Sequence, residues 1–464
     1  MEPRPLQFIV RACAGELSHG DPHLAIHGVC TDSRKVKPGE VFFALAGEKF
    51  DAHDFLPEVV RRAAAVVVKS GRAPSDPGAC AVVTVADPRQ ALGLLAAQYR
   101  REFNLPVIAV GGSNGKTTTK ELIASVLRQK FVTLWSEASF NNDVGVPLTL
   151  LRLQAAHRAA VLEAGTNHPG ELEPLIRVIG PGYGVITSIA REHLEFFGDL
   201  AGVAREEAWI AEGLPASGKV YVHADEEWVR YIRTRTRAQI IQVGMTEGCD
   251  WQASGLRPGK QGVSFIAKGP ASEFEGEYHV NLLGRHQSIN ALMAVALGAE
   301  LGLDRSQIQQ GLTECKPARM RLQLWEINGV RVLDDAYNAN ADSMVAALRT
   351  LQDLPCKGRR LAVLGDMAEL GRHSEAAHEE VGRRAAELGV GQLFAVGRMA
   401  PIMARGARQA GLARVMEFAD VDTAAIAIKQ FVREGDVLLI KASRATRLER
   451  VSERLRAGEA SEKN

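Results

Sequence analysis

Apolar and polar positions divide the chain into three stretches of different rhythm. Over about 1–87, short apolar runs alternate with turns. VCTDSRKVKPGEVFFAL reads as a strand, a Pro38-Gly39 turn and a second strand, and AAAVVVKS and CAVVTVA read as two more. A stripe at Ala91, Leu92, Leu94 and Leu95 predicts a helix leading into the second stretch, 88–315. There, 107–110, 159–162 and 185–189 have the continuous apolar character of buried strands. Leu122, Ile123, Val126 and Leu127 mark one face of a helix over 121–128, and 290–301 is a further helix. The glycine-rich alternation of 252–283 predicts small antiparallel strands. The third stretch, 316–464, alternates cleanly. Strands are expected at 330–333, 360–364, 393–396, 415–418 and 437–440, with helices between them, such as 343–351 and 375–388. The expected fold is therefore α/β, with mostly parallel sheets covered on both faces. The charged, small residues of the last ten positions predict a frayed end.

Composition narrows the function classes. A chain of 464 residues accommodates about two to four domains. The formal net charge of +1 gives no electrostatic reason to expect nucleic acid or an anionic membrane as partner. The basic run YIRTRTR at 231–237 is short and interleaved with threonine, as solvated faces are. The cysteines are scattered without a Cys-x-x-Cys pair, which argues against a zinc ribbon and fits a reducing compartment. No apolar window reaches the roughly 18 residues of a spanning helix. A soluble, cytoplasmic monomer without membrane insertion is expected.

The strongest chemical signal is PVIAVGGSNGKTTTKELIASVL. A buried strand runs into Gly112, Ser113, Asn114 and Gly115, then Lys116 and three threonines open a helix. Glycines let backbone N–H groups curl around phosphate oxygens, and the helix N-terminus adds partial positive charge. Lys116 can neutralise the β- and γ-phosphates, and the Thr117 hydroxyl can ligate Mg²⁺. The strict pattern would place a glycine at Val110, so the match is to a shorter Gly-x-x-Gly-Lys-Thr form. A plain glycine turn is the alternative. The order of strand, loop, Lys-Thr and helix weighs against it, as do three β-branched residues at a helix start.

Two further positions bear on this loop. Glu163 ends an apolar strand, where a Mg²⁺ ligand near a phosphate loop belongs. His193 follows the strand VITSI; alone, such a histidine is more often structural than a ligand. The surrounding strings, however, resemble the Mur ligase family, ATP-dependent amino acid ligases of bacterial cell-wall peptide synthesis. GSNGKTTTKE, NNDVGVPLTLL, EAGTNHPGEL, His193-Leu194-Glu195 and GRHQSINALMA are similar to its central domain. KPARMRL, DDAYNANADSM, GDMAELG and KASR are similar to its C-terminal domain, and TDSRKVKPGEVFFAL and DAHDF to its N-terminal, UDP-binding domain. Within the family, Tyr337-Asn338-Ala339-Asn340 followed by Asp342-Ser343 resembles the branch that adds D-alanyl-D-alanine to UDP-muramoyl tripeptide. The Asp-Asn-Pro-Arg motif of the branch adding the third residue is absent.

The resemblance implies three domains: a small UDP-binding domain (1–87), a central P-loop ATPase domain with a small antiparallel sheet (88–315), and a Rossmann-like domain for the incoming dipeptide (316–464). It implies ATP on Gly112, Ser113, Asn114, Gly115, Lys116, Thr117 and Thr118, with Mg²⁺ on Thr117 and Glu163 and a second Mg²⁺ on His193. Asn290 and His286 would meet adenine, though His286 could instead be a packed core histidine. Arg321 and Asp335 would reach ATP from the C-terminal domain. Ser33 and Arg34 would hold the UDP end, and Asn141 and Asn142 the muramoyl peptide. Tyr337, Asn338, Asn340, Lys441, Ser443 and Arg444 would line the closing cleft, while Asn340 or, more readily, Asp342 could cap the next helix. Lys116, Glu163 and His193 would carry the chemistry.

Several positions depart from the family pattern. Glu207 stands where members carry a carbamylated lysine; it is expected to supply negative charge beside the second Mg²⁺, or else to face solvent. Gln287, Ala341, Ala442 and His223 replace a usual asparagine, proline, glycine and asparagine. Ala341 would free a loop that proline stiffens, and Ala442 requires a negative φ. The competing functions are a related amide ligase with another amino acid substrate and a P-loop regulatory nucleotide hydrolase. The UDP-domain motifs oppose the first, and Glu163, His193, Arg321 and Asp335 oppose the second.

Overall fold

A computed structural model of the chain describes residues 1–224 and 227–457. Most of the expected tail lies outside the described residues, and its first two positions, Leu455 and Arg456, end the helix Glu449–Arg456.

The N-terminal sheet orders Glu16–His19, Ala81–Val85, Ala65–Lys69, Glu40–Phe43 and Gly28–Cys30. Only its first pair is antiparallel. Gly28–Cys30 and Glu40–Phe43 lie parallel, Cys30 opposite Phe42, so the segment containing Pro38-Gly39 is a crossover and not a hairpin. Asp87 caps the next helix, Pro88–Arg100, by accepting from the Arg89 amide. This helix buries Leu92, Leu95 and Tyr99 in one apolar core that continues from the N-terminal sheet to the underside of the central sheet. Leu94 of the predicted stripe points outward, 50% exposed.

The central sheet has nine strands. Thr133–Trp135, Ala159–Glu163, Val107–Gly111, Tyr183–Ile186, Lys219–His223 and Gln239–Gly244 are parallel neighbours in that order. Trp251–Pro258, Val263–Lys268 and Gly276–Val280 extend it as the expected antiparallel ribbon. Val107–Gly111 is buried throughout because helices cover both faces. On one face lie the phosphate-loop helix Lys116–Leu127 and Gln287–Glu300, which is buried from Gln287 to Gly298. The chain leaves Val107–Gly111 for one side of the sheet and later returns to its other side. The carboxyl end of that strand is thus the switch point where α/β sheets form ligand crevices.

The C-terminal sheet orders Gln323–Ile327, Val330–Asp334, Val437–Lys441, Arg360–Gly365, Gln392–Val396 and Val415–Phe418, all parallel beyond the first pair. Separate apolar layers cover its two faces. Among the described residues no helix is long and apolar enough to cross a membrane.

Candidate active site at the ends of the central strands

The phosphate loop is shaped by backbone sterics. Gly112 has φ +104°, and a Cβ there would sit 2.5 Å from Thr187 Oγ1. Gly115 has φ +87° and lies against Asn290. The Thr187 hydroxyl donates to the carbonyls of Gly111 and Asn114 at 3.0 and 2.6 Å, and the Ser113 amide donates to Ser188 O at 2.7 Å. Lys116 Nζ donates to Ser113 O at 3.1 Å and to Glu192 Oε1 at 3.3 Å. Burial works to lower the Lys116 pKa, but Glu192, Glu207 and Glu163 outweigh it and hold the ammonium above its ordinary value.

Glu163 ends its strand almost fully buried. Its amide donates to Ser136 Oγ at 3.0 Å, and its Oε1 accepts from Asn141 Nδ2 at 2.9 Å. Its other oxygen, Oε2, and Thr117 Oγ1 are buried without a hydrogen-bond partner. Two orphaned oxygens beside a phosphate loop suit a hard divalent cation, since buried polar atoms otherwise find partners. Among the described residues no three His, Cys, Asp or Glu side chains form a ready-made metal cage. Mg²⁺ is commonly held by one or two protein oxygens together with substrate phosphates, so these residues fit it. His193 adopts left-handed φ of +50° and pairs through Nδ1 with Glu369. A carboxylate on the second ring nitrogen is how metal-binding imidazoles are oriented.

A cavity of 1320 Å³ opens over these groups between the central and C-terminal sheets. Its walls include Ser113, Asn114, Gly115, Lys116, Thr117, Thr118, Asn141, Asn142, Glu163, His193, His286 and Asn290 from the central part. Arg321, Asp335, Tyr337, Asn338, Asn340, Lys441, Ser443 and Arg444 line it from the C-terminal part. Lys441 Nζ donates to Asp335 Oδ2 at 2.6 Å and to Asn338 O at 2.9 Å, while Asp335 Oδ1 accepts from the Leu322 amide. The Arg321 guanidinium lies 4.2 Å over the Tyr337 ring, and Tyr337 donates to Ser139 Oγ at 2.5 Å. His286 lines the cavity wall with its surface open to the cavity, while the surrounding protein desolvates the ring and pushes its pKa down to about 4. Asn290 Nδ2 donates to Gln287 Oε1 at 2.8 Å.

The expectations for Glu207, Asp342 and Ala341 are corrected. Glu207 neither lines the cavity nor faces solvent. It is 1% exposed, and its Oε2 accepts from the Gly112 amide at 2.7 Å. Burial pushes its carboxyl up to about 7 against the pull of Lys116. It therefore braces the phosphate loop from beneath and is not placed as a metal ligand. Ser33 and Arg34 lie away from the cavity; Arg34 is exposed and forked onto Asp32, and the Ser33 carbonyl accepts from Arg62. Asn142 accepts from the Gly145 amide at 2.8 Å at the start of the helix Gly145–Leu150. The cap of Ala341–Asp353 is Asn340, in a box with Ser343, whereas Asp342 pairs with Arg191. Ala341 is the first residue of that helix rather than part of a loop, and Ala442 is buried and not among the positive-φ residues.

Three charged neighbours of these residues were not anticipated. Glu192 touches Lys116, Glu369 touches His193, and Arg191 joins Asp342 at 2.6 Å and Glu380 at 2.7 Å. Glu369 sits inside the quoted GDMAELG string, and Arg191 and Glu192 immediately precede His193, so proximity to motifs was the available signal.

Comparison with known proteins agrees with this geometry. Residues 25–100 match the family model described as Mur ligase family, catalytic domain; 110–298 match the Mur ligase middle domain; and 320–444 match the Mur ligase, glutamate ligase domain. UDP-N-acetylmuramoyl-tripeptide--D-alanyl-D-alanine ligase of Escherichia coli is 36% identical over 94% of this chain and 95% of its own length. The chain belongs to the Mur ligase family. The Bacillus subtilis ligase of the same name is 34% identical over 97% of this chain and 98% of that one. Among solved Mur ligases, MurF from Acinetobacter baumannii superposes with a TM-score of 0.90 at 32% identity, covering 98% of this chain and 99% of that one. MurF from Thermotoga maritima, solved in complex with ADP, gives 0.82 at 26% identity over 93% and 97%. As a Mur ligase, the chain is an ATP-using ligase.

Proposed function

We propose that this chain joins D-alanyl-D-alanine to UDP-N-acetylmuramoyl-tripeptide, using ATP, to give the UDP-linked pentapeptide of peptidoglycan synthesis. The observation that carries this reading is a cavity in which a phosphate loop, a buried carboxylate with a free oxygen and a C-terminal wall of paired charges and amides converge. Its likeness to ligases of that name over nearly its whole length supports the substrate assignment.

The chemistry follows from the residues. The tripeptide carboxylate attacks the γ-phosphorus of ATP, forming an acyl phosphate and releasing ADP. Lys116 spreads the charge on the transferred oxygens. The free amine of the dipeptide then attacks the acyl carbon, and the tetrahedral adduct collapses to amide and phosphate. Thr117 and Glu163 would hold one Mg²⁺ and His193 a second, supplying charge neutralisation at the phosphates. Asp335 and Arg321 would reach ATP, and Asn290 and His286 the adenine. Lys441, Ser443, Arg444, Tyr337, Asn338 and Asn340 would face the dipeptide, with Asn141 and Asn142 toward the muramoyl peptide. Ser33 and Arg34 would receive the UDP end. Closure over the cavity excludes water that would hydrolyse the acyl phosphate. We assign 1–87, 88–315 and 316–464 to the UDP, ATP and dipeptide parts, and we expect a cytoplasmic monomer.

The test is phosphate release with ATP, Mg²⁺, UDP-muramoyl tripeptide and D-alanyl-D-alanine, omitting each in turn, with mass detection of product. Release that needs both peptide substrates, with a new UDP-pentapeptide mass, is expected. Release that ignores both would replace the ligase with a nucleotide hydrolase. Activity only with another amino acid would overturn the substrate assignment.

A further inference from the structure

Lys120 is fully buried one turn beyond Lys116, and no step of the proposed chemistry uses it. Burying an ammonium is costly unless every proton finds an acceptor. Here all three do: Nζ donates to Glu121 Oε1 at 2.5 Å, Ser136 O at 2.7 Å and Ala138 O at 3.1 Å. Two of these acceptors are backbone carbonyls of the 136–142 loop, and Ala138 holds left-handed φ of +47° there.

That loop is the scaffold of Glu163. Ser136 Oγ accepts from the Glu163 amide, Asn141 Nδ2 holds Glu163 Oε1, and Asn141 O accepts from the Gly165 amide at 2.9 Å. Ser139 meets Tyr337 of the C-terminal part. The helix that begins at the phosphate loop thus reaches, through its second turn, the loop that aims the buried carboxylate.

We infer that Lys120 is a positioning residue for phosphoryl transfer: it fixes the 136–142 loop and through Asn141 sets the direction of Glu163. The inference rests on the proposed role of Glu163 in the ATP site. A misplacement of about 1 Å at a reacting group can cost about 100-fold in rate, so the predicted effect falls on kcat and not on nucleotide affinity.

The experiment uses the full-length protein and compares wild type with K120M, N141A and the double variant in the ligation assay, together with hydrogen exchange of the ligand-free proteins. K120M is expected to lower kcat about 100-fold with KM for ATP nearly unchanged. It should speed exchange of the 136–142 amides at least about tenfold while the 116–119 amides keep their rates. The double variant should be no slower than the worse single one, because both remove the same restraint. Unchanged exchange in the loop, additive losses, or a raised KM for ATP at constant kcat would overturn the inference. If K120M does not fold, wild-type exchange decides: 136–142 amides as slow as those of Thr133–Trp135 are expected, and amides exchanging at exposed-loop rates would overturn it. Absence of ligation by wild type would instead count against the proposed function, since the exchange results stand apart from turnover.

Discussion

At the scale of single residues, the site turns on buried oxygens and what they face. Glu163 Oε2 and Thr117 Oγ1 are buried without a partner. E163Q keeps the side-chain shape but replaces a negative charge, so it should lower kcat about 100- to 1000-fold in steady-state assays. Wild-type rates in E163Q would remove the carboxylate from the chemistry. Glu207 makes a different prediction. Its folded pKa of about 7 lies above the ordinary carboxylate value of 4.5. Between those values the folded state keeps a proton that the unfolded chain releases, so stability falls as pH rises from about 4.5 to 7 and is flat beyond. Linkage bounds the effect at about 3 kcal/mol. E207Q should therefore gain thermal stability relative to wild type at pH 8 compared with pH 5; equal differences at the two pH values would refute this. The phosphate loop and Glu163 were legible because their local sequence dictates their geometry. Glu207 was not, since only the folded packing of Leu200–Glu207 turns its carboxylate toward Gly112 instead of the cavity.

At the scale of elements, one helix start does two jobs. Asn340 Oδ1 accepts from the Ser343 amide at 2.9 Å, and its Nδ2 donates to Asn114 Oδ1 of the phosphate loop at 2.9 Å. N340A removes both and should cost about 1 kcal/mol of stability. N340D keeps an equivalent cap and should melt with wild type, yet it cannot donate to Asn114 and should lose activity as N340A does. Wild-type turnover in N340D would show that the link across the cavity is idle. Element positions were mostly readable from periodicity: the strands at 330–333, 360–364 and 437–440 each appear with one added residue. What periodicity could not show was pairing. Gly28–Cys30 and Glu40–Phe43 look like hairpin partners around Pro38-Gly39 but lie parallel, Gly28–Cys30 forming the sheet edge beside Glu40–Phe43, which pairs on its other side with Ala65–Lys69. Asp342 looked the better cap, but Asn340 one turn-start earlier has the extended backbone a cap needs, which freed Asp342 for Arg191.

At the scale of the whole molecule, the cavity exists because the C-terminal sheet sits over the central one. The fasteners are polar: Arg191 with Asp342 and Glu380, His193 with Glu369, and Tyr337 with Ser139. These links join no apolar cores, and of the central part Leu283 packs into one C-terminal apolar layer. The N-terminal sheet, by contrast, shares a continuous core with the central one. Physics therefore assigns the hinge to the C-terminal side: a polar interface reopens far more easily than a shared core. Arg191 and its partners are each about a third exposed, so the pair of ion bridges is worth about 1 kcal/mol, enough to change the closed-to-open ratio about fivefold. Because salt screens such charges, R191M at low ionic strength should resemble wild type at high ionic strength. Small-angle scattering should then show a larger radius of gyration for R191M than for wild type in dilute salt, converging as salt is raised, with kcat falling severalfold in parallel. If the two proteins scatter alike at every ionic strength, the Arg191 bridges do not hold the closed arrangement. The restraint would then lie with the other links between the central and C-terminal parts, the neutral Asn114–Asn340 and Tyr337–Ser139 hydrogen bonds that salt leaves intact and the His193–Glu369 and Arg285–Asp353 pairs.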